Sequence, residues 1–156
     1  MIGNIRICTE ITEKHWRLLM EADPSRQQIE KYSDTGYTFE LLSDDDIAGI
    51  IIVTPKTTER VEIMNLSVDE KWRGRGYAKA LIEYACSFSA AKGYRIAEIG
   101  TGNSSIYQLA LYQKVGFRIM GIDHDYFSRN YPEPIYENGM LCRDMIRLER
   151  KLQLNK

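Results

Sequence analysis

Residues 66–85, LSVDEKWRGRGYAKALIEYA, change character twice. An apolar run ends at Val68, and cations, Arg73, Arg75 and Lys79 among them, and two glycines (Gly74, Gly76) follow it. From Ala78 onward the apolar positions Ala78, Leu81, Ile82, Ala85 and Phe88 recur at the three- and four-residue spacing of a core-facing helix. This strand, turn and helix need a sheet to pack on, which places the chain in the α/β class with helices on a mixed sheet. The turn also has a chemistry. A helix N-terminus carries unpaired amide N–H groups and the positive end of the helix dipole, and glycine lets an anion approach the backbone closely. The ligand expected there is a phosphate or pyrophosphate.

The surrounding chain agrees with one domain of 156 residues, with no internal repeat and no linker. Short strands are expected at 4–9, 36–42 and 46–54, the last two joined by the acidic turn 43–46, and a third strand of this meander at 59–68. Two helices fall between the first strands, broken at Asp23-Pro24-Ser25. After the long helix come a strand at 94–100, a helix opened by Ser104 or Ser105 and ended by Gly116, and a strand from Phe117. A loop rich in aromatics and acids then leads to the Asn138-Gly139 turn and one closing strand, MLCRDMIRLE. The longest apolar run, IAGIIIV, is too short to cross a membrane, and the N-terminus lacks the apolar stretch of a signal peptide, so the expected location is cytoplasmic with no membrane partner. A formal net charge of -1 argues against broad nucleic-acid binding. Cys8, Cys86 and Cys142 are widely spaced, with neither histidine near enough in sequence to suggest a metal, and are expected as reduced core thiols.

Familiar nucleotide loops fit the turn badly. No Gly-Lys-Ser/Thr follows, and a dinucleotide-binding turn would leave the strand sooner and want a small residue where Lys79 stands. Arg73-Gly74-Arg75-Gly76-Tyr77-Ala78 instead resembles the Arg/Gln-x-x-Gly-x-Gly/Ala motif of the GCN5-related N-acetyltransferases, and LYQKVGF at 111–117 is similar to that family's second signature. The resemblance runs from about residue 36 to residue 122. It implies a splayed mixed sheet and acetyl-CoA as acyl donor, with Leu66, Ser67 and Val68 along the pantetheine arm and Arg73, Gly74, Arg75, Gly76, Tyr77, Ala78 and Lys79 around the pyrophosphate. The family often places an Asn seven residues before the motif tyrosine. Here Ser105 holds that position and Asn103 lies two residues earlier, leaving both as candidates for the cofactor.

Transfer of an acyl group to an amine needs a base, because an alkyl ammonium has a pKa near ~10. Glu62 is the candidate: it lies six residues before Val68, where histone acetyltransferases of the family carry their catalytic Glu, and it interrupts an apparent face of Met64, Leu66 and Val68. The departing thiolate needs a proton, and a phenol with pKa near ~10 is matched to it, which together with the motif points to Tyr112. The resemblance implies a strand amide near Leu66 or Ser67 for the oxyanion. Residues 122–137, IDHDYFSRNYPEPIYE, combine Tyr126, Phe127, Tyr131 and Tyr136 with Asp123, Asp125, Glu133 and Glu137, a composition that attracts cations. The expected acceptor is a primary amine on a cationic small molecule or a lysine side chain, with no metal in the reaction. The same tyrosines would also serve a homodimer contact. A non-catalytic acyl-CoA-binding regulatory module is the alternative, and it would need neither Glu62 nor Tyr112.

Overall fold

The computed structural model describes residues 4–153. Strand β1 (Asn4–Ile7) is followed by helices α1 (Glu13–Ala22) and α2 (Arg26–Thr35). The meander β2 (Tyr37–Ser43), β3 (Asp46–Pro55) and β4 (Arg60–Val68) comes next. Then α3 (Tyr77–Ala91), β5 (Ile96–Gly102), α4 (Ile106–Lys114) and β6 (Arg118–Asp123) complete the alternating part. The aromatic stretch holds a short helix, α5 (Tyr126–Asn130), and a separate hairpin of β7 (Ile135–Glu137) and β8 (Met140–Cys142), before β9 (Met145–Lys151). The main sheet runs β1-β2-β3-β4-β5-β9-β6, and β4 with β5 is its parallel pair.

Two expectations change here. The 122–137 stretch is not a plain loop, and MLCRDMIRLE is two strands, since β8 pairs with β7 across Asn138-Gly139 whereas β9 inserts between β5 and β6. The hairpin turn between β2 and β3 sets both Asp44 and Asp45 at positive φ, as a tight two-residue turn requires.

The core has two parts, one on each face of the sheet. Phe39, Ile51, Val53, Val61 and Ile63 pack with Leu81, Ile82 and Ala85 of α3 and with Tyr112 and Phe117. On the opposite face Ile50 and Ile52 pack with Leu18 and Leu19 of α1 and Ile29 and Tyr32 of α2. The α1/α2 pair covers the β2–β4 half of its face only, so Glu98 of β5 and Arg147 and Glu149 of β9 border an open groove with Met120, Ile122 and Asp123.

Two irregularities in β4 shape the centre of the sheet. Its pairing with β5 holds only from Arg60–Ile96 to Ile63–Ile99, so residues 64–68 have β3 on one edge and no strand on the other among the described residues. The sheet therefore splays beyond Ile63. A β-bulge lies beside the split: Val53 pairs with Ile63 but Ile52 pairs with Asn65, which leaves Met64 as the extra residue.

A buried polar cluster ties α1 to β2. His15, 2% exposed, places Nε2 2.7 Å from Glu40 Oε1, and Arg6 Nε donates to Glu40 Oε2 at 2.7 Å. Burial raises the Glu40 pKa, but the bonds from Arg6 and His15 outweigh it and hold the carboxyl below the usual glutamate range. A carboxyl depressed in the folded state stabilises at pH above its unfolded pKa, about 4.3, and that contribution is lost as pH falls through the lower folded value. Glu40→Gln should therefore lower Tm at neutral pH and flatten its decline below about pH 4.5, as read by thermal melts across pH. A parallel acid decline in both proteins would remove Glu40 from the account.

Candidate active site

The turn after β4 is built from beneath by aromatic anchors. Trp72, in a 3₁₀ turn, and Tyr77, the first residue of α3, are 4% and 5% exposed, and the Tyr77 hydroxyl lies 2.9 Å from Ser43 Oγ. The Tyr77 side chain thus belongs to the core, leaving its backbone to face the turn. Gly74 and Gly76 have φ of +77° and +79°, a conformation that only glycine adopts without strain, and a Cβ on either would meet nothing within 4 Å. The space above them is open.

The helix start has no side-chain cap and no acid in its first turn. The amides of Gly74, Gly76, Ala78 and Lys79 donate to no backbone carbonyl among the described residues. These residues line a groove of about 200 Å³ together with Val68, Arg73 and Leu111 of α4. Of the cations, Arg73 is tied back, its Nε donating to the Val68 carbonyl and its Nη2 to Glu21 Oε2. Arg75 lies over the Trp72 ring at 4.8 Å, and Lys79 is exposed at the groove. Donor groups, positive charge and open space suit a pyrophosphate.

Beyond the turn, the bulge redirects the strand. Val61 and Ile63 face α3, while Met64 and Asn65 join the α1/α2 side, and Leu66 and Val68 return to the α3 side. The apparent single face of Glu62, Met64, Leu66 and Val68 is thus corrected. Glu62 stands on the α1/α2 side, its Oε2 accepting from Arg147 Nη1 at 3.3 Å and its Oε1 3.7 Å from Lys56 Nζ. Ser67 is buried on β4 between Leu66 and Val68, at the unpaired edge of the splay.

Tyr112 is 6% exposed and packs near Phe117 in the core, and its hydroxyl makes no hydrogen bond with any described residue. Burial pushes its ionisation well above the ordinary phenol range, so it stays protonated at any working pH. Asn103 and Ser105 are committed elsewhere. Asn103 Oδ1 accepts from the amides of Arg143 and Asp144 and its Nδ2 donates to the Leu141 carbonyl, while Ser105 Oγ donates to Glu137 at 2.8 Å. Both side chains fasten α4 to the β7–β9 segment.

In the acidic aromatic stretch, folding engages Asp123, Asp125 and Glu137 with neighbouring side chains. Asp123 pairs with Arg129 and Asp125 with Arg143, Glu137 accepts from Ser104 and Ser105, and Tyr136 is 70% exposed. Tyr126, Phe127 and Tyr131 pack on one another. Tyr131 reaches across to the α1/α2 corner, where its hydroxyl donates to Asp23 Oδ1 at 2.8 Å, and the Tyr32 hydroxyl donates to Asp23 Oδ2 at 3.1 Å. Asp23, 8% exposed, also accepts from the Ser25 amide, and no described Lys, Arg or His pairs with it. Burial first, and then the Asp23 carboxylate, raise Tyr32 and Tyr131 far above ordinary phenols, so both remain donors. Tyr126 joins this cluster to Glu62: burial raises its pKa, Glu62, Asp23 and Asp123 add to the rise, and Arg147, 5.7 Å from its ring, opposes it. The sequence carried no signal for Asp23 beyond its place at a helix stop.

Among the described residues, the grouping with metal-ligand chemistry is Cys8, His15 and Glu40, since His15 folds back to within 3.4 Å of Cys8 Sγ despite their separation in sequence. Its hydrogen bonds oppose metal binding. The Thr12 amide must donate to His15 Nδ1, which puts the proton on Nε2, the atom that faces Glu40 and Cys8. Burial and the neighbouring carboxylate push the Cys8 thiol up to about 11.

The profile of the Acetyltransferase (GNAT) family matches residues 6–117. The chain belongs to this family. The N-acetyltransferase YvbK of Bacillus subtilis is 42% identical over 144 residues, 92% of this chain and 93% of that protein. A GNAT family acetyltransferase from Elizabethkingia anophelis, solved with acetyl-CoA bound, superposes with a TM-score of 0.92 at 40% identity, covering 96% of this chain and 97% of that one. A Bacillus subtilis acetyltransferase solved in complex with CoA has a TM-score of 0.93 at 41% identity, covering 97% and 99%. The protein is thus an acetyl-CoA-dependent N-acyltransferase of the GNAT family, with acetyl-CoA as the acyl donor. No helix among the described residues is long and apolar enough to cross a membrane.

Proposed function

We propose that this GNAT enzyme acetylates a primary amine carried on a cationic acceptor, a small polyamine-like molecule or a lysine side chain, by direct attack in a ternary complex. The observation that carries the reading is Asp23. A buried carboxylate held by two neutral phenols and an amide, with no cation beside it among the described residues, is electrostatically incomplete. An ammonium entering beside Tyr126 and Tyr131 would complete it, and the aromatic faces would favour the same charge. The carboxylates expected from sequence to play this part, Asp123 and Asp125, already hold arginines.

In the reaction, the attacking nitrogen forms a bond to the acetyl carbon and the carbon–sulfur bond breaks. Glu62 takes the proton that the ammonium must lose before attack, directly or through a water, Tyr112 gives one to the departing thiolate, and the second N–H proton, acidic once the nitrogen is acylated, passes through water to replace the one Tyr112 gave. The free backbone edge of β4 at Leu66, Ser67 and Val68 lies along the pantetheine arm and offers the oxyanion a donor. Gly74, Gly76, Ala78 and Lys79 hold the pyrophosphate by their amides, with Arg73 and Arg75 adding charge and Tyr77 fixing the helix start from below. Asn103 and Ser105 act on this site only by anchoring α4. A non-catalytic binding module would have no use for an uncompensated buried acid in the acceptor cleft.

A screen of amines with acetyl-CoA, read by release of free thiol, identifies the acceptor. With the best cationic amine, Asp23→Asn should raise the acceptor KM by roughly ten- to a hundredfold and leave the acetyl-CoA KM unchanged. Preference for an anionic or neutral amine, with a KM indifferent to Asp23, would overturn the cationic reading while leaving the acetyltransferase intact.

A further inference from the structure

Strand β6, RIMGID, ends the sheet and lies open. It pairs with β9 on one side and with no other described strand, and Ile119, Met120 and Ile122 are 48%, 62% and 53% exposed. A long apolar edge of this kind is a template for another strand, and it carries neither the lysine nor the proline that would blunt it. Its order of residues is chemically self-complementary: a cation, an apolar residue, the Met120-Gly121 centre, an apolar residue and an acid.

A bulge makes that order usable. Ile119 pairs with Leu148 and Gly121 with Arg147, so Met120 is the extra residue on β6. In a regular strand Arg118 and Asp123, five positions apart, would point to opposite faces. With the bulge they share one face, opposite Glu149 and Met145 of β9, and Ile119 and Ile122 share the other, opposite Leu148 and Ile146. Two copies of β6 paired antiparallel about a two-fold axis at the strand centre would set each Arg118 against Asp123 of the second copy. Each Ile119 would meet Ile122 of the second copy on the other face. Arg118 is exposed and makes no ion pair with any described residue. Asp123 pairs with Arg129 at 2.6 Å and more loosely with Arg147 at 4.0 Å, and a carboxylate has lone pairs for a further donor.

We propose that the protein forms a two-fold dimer by β6-to-β6 edge pairing, making one continuous sheet across two copies, with the Arg118–Asp123 pairs fixing its register. Each second copy would then wall the open groove beside Met120, Ile122 and Arg147, the arginine that donates to Glu62.

Sedimentation velocity of the full chain tests this. The wild type should sediment as a dimer of the 18.1 kDa chain, and Arg118→Asp, which places two acids face to face twice, should raise the dimer Kd by about tenfold or more. Asp123→Arg should do the same with two cations. Mixing the two variants restores opposite charges at both pairs, one with its sign reversed and one native, so an equimolar mixture should recover the dimer that neither forms alone. Because Asp123 also holds Arg129, Arg118→Asp carries the test by itself, with circular dichroism confirming its fold. A wild type that stays monomeric at about 100 µM, a folded Arg118→Asp that dimerises like wild type, or folded variants that fail to associate when mixed would each overturn the proposal.

Discussion

Ala78→Glu should abolish measurable acetyl-CoA binding while the protein stays folded. Ala78 is the second residue of α3 and lines the groove beside Gly74, Gly76 and Lys79, whose amides donate to no backbone carbonyl among the described residues. A carboxylate there suits the helix itself, because an acid in the first turn complements the helix dipole, so the fold has no reason to fail. The same carboxylate would occupy the space and cancel the field that the donor's pyrophosphate needs. Two negative charges a few ångströms apart at a partly wet surface repel by several kcal/mol, which corresponds to a rise in Kd of about a hundredfold or more. Ala78→Ser, similar in size and neutral, should bind nearly as the wild type does. Calorimetric titration with acetyl-CoA reads both. Unchanged affinity in a folded Ala78→Glu protein would mean that the pyrophosphate lies elsewhere.

That turn could be read from sequence because its determinants are local. Two glycines at positive φ, a run of cations and the onset of a three- and four-residue apolar period sit within a few positions of one another, and the anchors Trp72 and Tyr77 lie among them. The order of strands and helices through β6 was legible for the same reason. What sequence could not show was anything set by pairing between distant segments. The β4 bulge exists because Ile52 and Val53 of β3 pair with Asn65 and Ile63, and no composition rule places Met64 as the extra residue. Strict alternation therefore put Glu62 and Leu66 on one face when they lie on two. Asp23 looked like a helix stop, since the residue that gives it a part in the cleft, Tyr131, is 108 positions away. Asp123 and Asp125 looked free because Arg129 and Arg143 meet them only once α5 and β9 are in place. Nothing along the chain links His15 to Glu40, yet β2 brings that carboxylate to its ring. Charges counted along a chain overstate what remains after folding pairs them.

Glu62→Gln and Tyr112→Phe should each lower kcat by about 10- to 10⁴-fold with little effect on acetyl-CoA binding, and the two losses should differ in kind. Glu62→Gln keeps the side-chain volume and an oxygen that can accept from Arg147, but removes the proposed base, whose work is to take the proton an ammonium must lose before it can attack. An amine with pKa near ~10 depends fully on that step, whereas a weakly basic amine that is already neutral does not. The loss in Glu62→Gln should therefore shrink as the acceptor's basicity falls. Tyr112→Phe removes one hydroxyl that has no hydrogen bond to a described residue, and the remaining ring fills the same core space beside Phe117. The fold should lose nothing, since the variant deletes a buried polar group without leaving a partner behind. The proton for the leaving thiolate is needed whatever the acceptor is. Its loss in kcat should thus be the same across the amine series. Steady-state kinetics with several amines of graded basicity, alongside thermal melts of both variants, separate the two roles. If Tyr112→Phe retains wild-type kcat with every acceptor, the hydroxyl is a packing remnant and protonation of the thiolate belongs to another group. If the Glu62→Gln loss is constant across the series, the carboxylate organises Arg147 and the acceptor cleft and does not take the proton.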